Sequence, residues 1–321
     1  MPTSADGSQR TVPDNLGTDM KVSVCIATYN RPRGLRAVVE DLARQVRLPD
    51  QVVIVDNDAG GSARAVVEQI RAAGAPFRLD YDIQPQRNIA MTRNLTVALA
   101  DGDWLAFIDD DERAPEIWLQ QLLDAAAAHG ADGVLGPVHP QVPPEAPAWI
   151  RRGTFYDFPR MCSGEIVPLN RMRFGNVLLR GALLRNEPGP FDISYGLTTG
   201  EDGDLLVRLA HGGARIIWID EASVWEPVEH KRLSLRWLLM RALSGGQEFA
   251  RQTVRGRYRP IGWSGRTIFY ARALSQLLLA AGLALLSLPM GRHRAARWLV
   301  TVWANLGKLS VLWGGRYRAY A

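Results

Sequence analysis

The 321 residues are enough for one large domain or two ordinary ones, and 47% hydrophobic with 22% charged residues excludes a disordered chain. The net charge of +5 conceals a division: residues 227–321 hold 16 Lys and Arg against 2 Glu, so the preceding part is net acidic. Two cysteines, Cys25 and Cys162, exclude a disulfide scaffold and a zinc ribbon, and two parts with different partners are expected.

Residues 1–20 are polar, lack the apolar core of a signal peptide, and read as a disordered tail on a protein of the reducing cytoplasm. Residues 21–27 (KVSVCIA) form a strand that runs into Thr28, Tyr29, Asn30 and Arg31, and a helical pattern follows at Leu35, Val38, Val39, Leu42 and Val46. That first turn has no G-x-G-x-x-G, which argues against a dehydrogenase-type dinucleotide fold; its polar and aromatic groups suit a base and a phosphate. Residues 51–55 (QVVIV) are a second strand ending in Asp56, Asn57 and Asp58, with a helix over 62–73. A third strand over 77–83 and a helix over 87–100 lead to the strand at 104–108. Near-continuous Val and Ile runs alternating with helices predict a parallel sheet covered on both faces.

The strand at 104–108 ends in Asp109, Asp110, Asp111 and Glu112, and Pro115 opens the next helical pattern. This places the acids in a strand-to-helix turn at the carboxyl edge of the sheet, where open α/β folds bind ligands. Adjacent carboxylates repel one another, and Mg²⁺ or Mn²⁺ held by carboxylate and phosphate oxygens would offset that repulsion. A solvated acidic turn at a helix N-terminus explains the three acids taken alone.

The order VSVCIATYNRP, VVIVDND, RNIAMTRNLTVALADGDWLAFIDDDE and GEDGDLLVRL resembles the inverting GT-A glycosyltransferases of family 2 over about residues 21–226. GPV at 136–138, GNVLLR at 175–180 and RLSLRWLLMRALSGG at 232–246 further resemble the succinoglycan-type exopolysaccharide glucosyltransferase branch. The resemblance implies a GT-A catalytic domain, a Rossmann-like mixed sheet with helices on both faces, and a UDP-hexose donor. It places Asp56 at the uracil imide with Asp58 as the alternative in that turn. Arg93 would lie near the diphosphate or base, since its donor fork matches phosphate. Asp109 and Asp111 map onto the DxD motif as metal-site acids, with Asp110 between them in the donor site or supporting the turn. Asp202 maps onto the general base, with Glu201 orienting it or the acceptor; a plain helix cap explains the same letters. Glu226 or His230 stands where a third metal ligand is placed, and Asn176 is a donor-sugar or acceptor contact by resemblance only. The irregular stretch 138–175 reads as a lid or acceptor loop with Trp149 as a stacking platform or a packing residue.

Beyond residue 226, residues 227–262 read as amphipathic interfacial helices and 263–321 as an apolar helical hairpin. Residues 273–291 carry no charge and reach spanning length, but arginines at 266, 272, 292, 294, 297, 316 and 318 flank the apolar stretches. Positive flanks favour an in-plane or re-entrant arrangement at the cytoplasmic face of the bacterial inner membrane. Leu-rich faces edged by Trp suit a bilayer better than nucleic acid. The expected activity is transfer of a hexose, glucose by resemblance, to a polyprenyl-diphosphate-linked glycan. A sugar-phosphate nucleotidyltransferase and an inactive membrane scaffold are the alternatives.

Overall fold

Apolar runs without alternation need cover on both faces, and the structure, a computed structural model, supplies it. It describes residues 20–186, 189–198, 200–315 and 317; the expected tail at 1–20, apart from Met20, and the flanking Arg316 and Arg318 lie outside the described residues. The chain alternates β1 (Val22–Thr28), α1 (Pro32–Leu42), β2 (Gln51–Asp56), α2 (Arg64–Ala72), β3 (Arg78–Ile83), α3 (Ile89–Leu99), β4 (Trp104–Phe107) and α4 (Trp118–Ala128). Strands β1 to β4 pair in parallel, as the sequence predicts. Within β1 and β2, Val24, Ile26, Val52 and Ile54 pack under α1, α2 and α4 on one face. Cys25, Val53 and Val55 point the other way, against Ala90 and Val97 of α3. This is the two-residue period of a strand working on two cores at once.

The second half is less regular: β5 (Gly133–Leu135), β6 (Val138–Gln141), α5 (Ala148–Arg151), β7 (Val177–Arg180), α6 (Gly181–Arg185), α7 (Glu201–His211), β8 (Ile216–Trp218) and β9 (Val224–Pro227). The main sheet has the order β3-β2-β1-β4-β7-β5-β8. Strand β7 runs antiparallel to both β4 and β5, so the sheet is mixed and not wholly parallel. Its insertion brings the Met172–Gly175 approach to the sheet against the acidic turn. Strands β6 and β9 form a separate parallel pair that carries Glu226.

The C-terminal part is a bundle of α8 (Leu235–Val254), α9 (Trp263–Leu286) and α10 (Arg292–Ser310). Ser234 caps α8 by accepting from Trp237 N at 3.2 Å. A methyl on Gly246 or Gly307 would overlap the backbone of the facing helix, so α8 and α10 pack at close range. The stretch expected at a membrane surface, 227–262, packs its helix α8 on α10 and on the catalytic part. Tyr156 donates to Arg232 O at 2.8 Å and stacks near Trp237, while Gln252 donates to Tyr195 Oη at 2.8 Å. The unpartnered apolar surface is on α9, where Ile268, Leu274, Leu278, Leu279, Leu285 and Leu286 are exposed and the fully buried residues are small, Ala273, Ala280 and Ala284. Among the described residues α9 is the one helix long and apolar enough to cross a membrane.

Candidate active site

Parallel strands bring the ends of β1, β2 and β4 to one edge, where the acidic turn forms. Thr28 closes β1 and donates its hydroxyl to Asp110 Oδ2 at 2.7 Å. Arg31, at the start of α1, reaches Asp110 at 2.9 Å, Asp111 at 3.0 Å and Glu229 at 2.8 Å. Two of the four residues expected to hold the base and phosphate thus hold the acidic turn. Tyr29 remains exposed, with the Arg87 guanidinium 4.5 Å from its ring centroid. Asn30 sits at φ 53°, a left-handed geometry that Asn tolerates, with its N–H donating to Ser62 Oγ at 3.2 Å.

Asp56 is fully buried and its carboxylate accepts from Ala63 N at 2.7 Å, Asp58 N at 3.0 Å, Tyr81 Oη at 3.2 Å and Ser62 Oγ at 3.3 Å. With these donors in place it builds the turn, and half-buried Asp58 is the acid of that turn left open to a ligand. Asn176 is likewise corrected. Its amide nitrogen donates to Pro137 O and Ala222 O, and its oxygen accepts from Trp118 Nε1 at 2.8 Å, so both donors of this buried side chain are taken and it ties β7 to the core.

Arg93 on α3 joins the two acid clusters. Its guanidinium meets Glu201 Oε1 at 2.6 Å, Asp109 Oδ1 at 3.5 Å and Asp202 Oδ2 at 3.9 Å, and it lies over the Phe174 ring, 4.9 Å from its centroid. Glu201 is buried, and burial first, then Asp202, push its carboxyl up to about 8 against the pull of Arg93. Burial thus favours its neutral form. Asp202 keeps about a third of its side chain in solvent (29%) and accepts from Gly203 N at 2.7 Å.

Three further residues complete the site and were not singled out from the sequence. Buried Glu112 accepts from Asp109 N at 3.0 Å, and desolvation and Asp109 push its carboxyl well above the ordinary range. Arg232 meets Asp111 at 3.1 Å and Glu226, and Glu229 completes the clamp on Arg31. The fourth consecutive acid and the Glu-Pro-Val-Glu-His-Lys-Arg run were the available signals. His230, from the same run, points away: it is exposed and lies 3.7 Å from Glu145. A short helical turn over His230–Arg232 turns Arg232, and not the imidazole, toward Asp111.

The oxygen chemistry of this cleft fits a hard divalent cation. Asp109, Asp110, Asp111, Glu112, Glu201, Asp202, Glu226 and Glu229 face Arg31, Arg93 and Arg232, an excess of carboxyl over guanidinium groups. Desolvation, with Asp111, Asp110 and Glu226 adding to it and Arg93 opposing, pushes Asp109 up to about 6. Nearly half of that side chain (46%) touches solvent, so the neighbouring acids carry more of the rise than burial does. As folded here, the described His, Cys, Asp and Glu residues form no ready cluster of three ligands, because Arg31 and Arg232 lie among the acids.

Glu248 of α8 ties the helical bundle to this site. Gly200 has φ 111°, and a methyl there would overlap the Glu248 carboxyl, so the turn ahead of Asp202 requires glycine. Glu248 also accepts from Gln252 at 2.7 Å. Burial pushes its carboxyl up to about 7, with Gln252 and Arg251 opposing. The fold favours the neutral acid; the stability this gives is complete below the unfolded value of roughly 4.3 and is lost as pH rises through about 7. Glu248→Gln stays neutral at every pH. It should raise the melting temperature by several degrees at about pH 8, an upper bound of roughly 4 kcal/mol, and leave it unchanged near pH 4. Thermal unfolding at both pH values checks this, and equal melting of the two proteins at the higher pH would show that Glu248 is not held neutral.

A mixed α/β sheet that presents an acidic turn at its carboxyl edge, opposed across a buried arginine by a Glu-Asp pair at a helix start, defines a GT-A glycosyltransferase. Residues 23–183 match the model of Glycosyl transferase family 2. The succinoglycan biosynthesis protein ExoM of Rhizobium meliloti is 38% identical over 240 residues, 72% of this chain and 75% of that protein. The chain belongs to glycosyl transferase family 2. The galactofuranosyltransferase GlfT1 of Mycobacterium tuberculosis is 33% identical over 111 residues, 33% of this chain and 35% of that protein. Among solved structures, the mannosyltransferase PcManGT from Pyrobaculum calidifontis, in complex with GDP-Man and Mn2+, is similar with a TM-score of 0.59 at 18% identity, covering 90% of this chain and 87% of that one. S. aureus TarS 1-349 in complex with UDP-GlcNAc gives 0.54 at 18% identity, with 93% of each chain covered. At these identities the likeness shows the fold.

Proposed function

We propose that the chain is a membrane-associated inverting glycosyltransferase that moves a hexose, glucose by resemblance, from a UDP-sugar to a polyprenyl-diphosphate-linked glycan in exopolysaccharide assembly. The observation that carries this reading is Arg93, which holds the donor-side acid Asp109 and the acceptor-side acids Glu201 and Asp202 in one cleft. Asp109 and Asp111, with Glu226 beside Asp111 across Arg232, are the residues that would hold Mg²⁺ or Mn²⁺. The cation, when bound, supplies Lewis-acid stabilisation of the departing diphosphate. Asp202 takes the proton of the acceptor hydroxyl as that oxygen attacks the anomeric carbon from the face opposite the diphosphate. Neutral Glu201 donates a hydrogen bond that fixes the acceptor or the base. Two neighbouring carboxyl groups thus take separate roles through unequal environments.

ExoM's name places that relative in succinoglycan biosynthesis, and the GDP-Man, Mn2+ and UDP-GlcNAc complexes of the structural neighbours support a nucleotide-sugar donor and a divalent ion. In this reading residues 21–226 carry the catalytic acids, Glu229 and Arg232 complete the site from the segment that follows, and the helices beyond them hold the enzyme at the cytoplasmic face of the inner membrane. The exposed leucines of α9 and the arginines at its two ends support that attachment, apolar area meeting acyl chains while guanidinium groups meet anionic headgroups.

Calorimetric titration of detergent-purified protein with UDP, GDP and dTDP, with and without Mn²⁺, tests the donor site. Tight binding of UDP that requires the metal is expected. Binding of none, or equal binding without metal, would remove Asp109 and Asp111 from the donor site.

A further inference from the structure

The segment between α5 and β7 does more than enter the sheet. Met172 O faces Gly203, 3.5 Å from where a methyl would stand, next to Asp202. Phe174 lies under the Arg93 guanidinium. A methyl on Gly175 would stand 2.9 Å from Glu112 Oε1 and 3.9 Å from Asp109 Oδ2. Residues 172–175 therefore line the cleft from the base to the acidic turn, and one of them, Arg173, extends to where Val138, next to the Gly175 position, walls a neighbouring space.

There it enters a cavity of about 270 Å³ between β6, the loop at 157–160 and the end of β8. The guanidinium lies flat against Phe158, 3.8 Å from its ring centroid, with Trp218 at 6.0 Å. Among the described residues it forms no ion pair. Arg160 on the same wall is already paired with Asp220, and Asp157 stands exposed at the rim without pairing to Arg173. A guanidinium stacked by its faces keeps its N–H edge free, and that edge matches a carboxylate or phosphate with two parallel donors.

We propose that this cavity is an acceptor subsite for a sugar ring bearing an anionic group, phosphate or carboxylate, with Arg173 pairing the anion and Phe158 packing the ring. The proposal rests on the glycosyltransferase reading above, because it is the adjacency to Asp202 that makes the occupant an acceptor. The volume suits one substituted pyranose. Electrostatics agree with the geometry. Desolvation, and Arg241 in the same direction, push Arg173 down to about 10, with Glu112 opposing, so burial weakens this cation and an anion brought against it would restore it.

The test is titration calorimetry of the full chain in EDTA with glucose 1-phosphate, glucuronate and methyl glucoside, with UDP plus Mn²⁺ as a separate titration. One or both anionic sugars should bind, methyl glucoside at least about tenfold more weakly, the loss of one charged hydrogen bond. Glucose 1-phosphate alone would assign a phosphate, glucuronate alone a carboxylate. Arg173→Gln should weaken anion binding by about tenfold or more and Arg173→Lys by less, with UDP binding unchanged in both. Phe158→Ala should weaken binding of the same sugars severalfold. Equal binding of the anionic sugars to Arg173→Gln and wild type overturns the subsite, as does no binding of either while UDP with Mn²⁺ still binds. Loss of UDP binding with anionic-sugar binding intact overturns the donor reading and leaves the pocket standing.

Discussion

Asp202→Asn is expected to lower kcat for sugar transfer by about 10²–10⁴-fold, with the KM for the nucleotide sugar and the melting temperature close to wild type. The substitution is conservative in shape: the amide oxygen can still accept from Gly203 N, so the start of α7 is kept. What is lost is the capacity to take a proton. The neighbouring acid gives the control. Burial, and then Asp202, push the Glu201 carboxyl up to about 8 and favour its neutral form, and Gln reproduces a neutral group that accepts from Arg93. Glu201→Gln is therefore expected to cost less than about tenfold, the worth of one neutral hydrogen bond. Steady-state transfer kinetics of the two variants side by side decide the matter. If Glu201→Gln were the more damaging of the two, the roles assigned to this pair would have to be exchanged.

The sheet and the acid motifs were legible because they depend on local pattern. Residues 21–27 and 51–55 announce strands buried on both faces, and the apolar run into residues 109–112 announces a ligand turn at a sheet edge. The antiparallel course of β7 was not legible, since Val177–Arg180 has the same apolar letters in either direction and pairing is decided by where the chain returns. The arginine clamp was hidden for a related reason. Arg31 meets Glu229 and Arg232 meets Asp111 across most of the catalytic part, and no spacing rule connects such partners. His230 and Arg232 stand two residues apart, and only the turn that carries them selects which one faces the cleft. Asn176 and Asp56 have the right chemistry for a ligand. Their capacity is taken up by backbone groups and by partners from other elements, which the letters around them do not disclose. The pairing of Glu248 with Gly200 belongs to the same class, a contact between a bundle helix and a catalytic turn.

Arg93→Met is expected to destabilise the protein by about 1–3 kcal/mol and to reduce transfer by more than about 10²-fold, because it removes the only described cation in contact with Glu201. Glu201 is 2% exposed, so its carboxyl loses the guanidinium in a site with little access to solvent. Protonation of Glu201 limits the penalty but does not abolish it, since a buried carboxyl without a donor still loses a hydrogen bond. Across the cleft, Asp109 loses the one opposing influence on a carboxyl already pushed up to about 6, and repulsion from Asp110 and Asp111 is no longer offset. Lysine is not an adequate replacement. The guanidinium places one nitrogen on Glu201 and another on Asp109 while lying flat on Phe174, and a single ammonium cannot do all three. Arg93→Lys should therefore recover part of the stability and little of the activity. Urea unfolding with matched slopes, read beside transfer rates, separates the two effects. Full activity in Arg93→Lys would mean that the two acid clusters need only a nearby positive charge, and that the bridging geometry has no part in bringing donor and acceptor together.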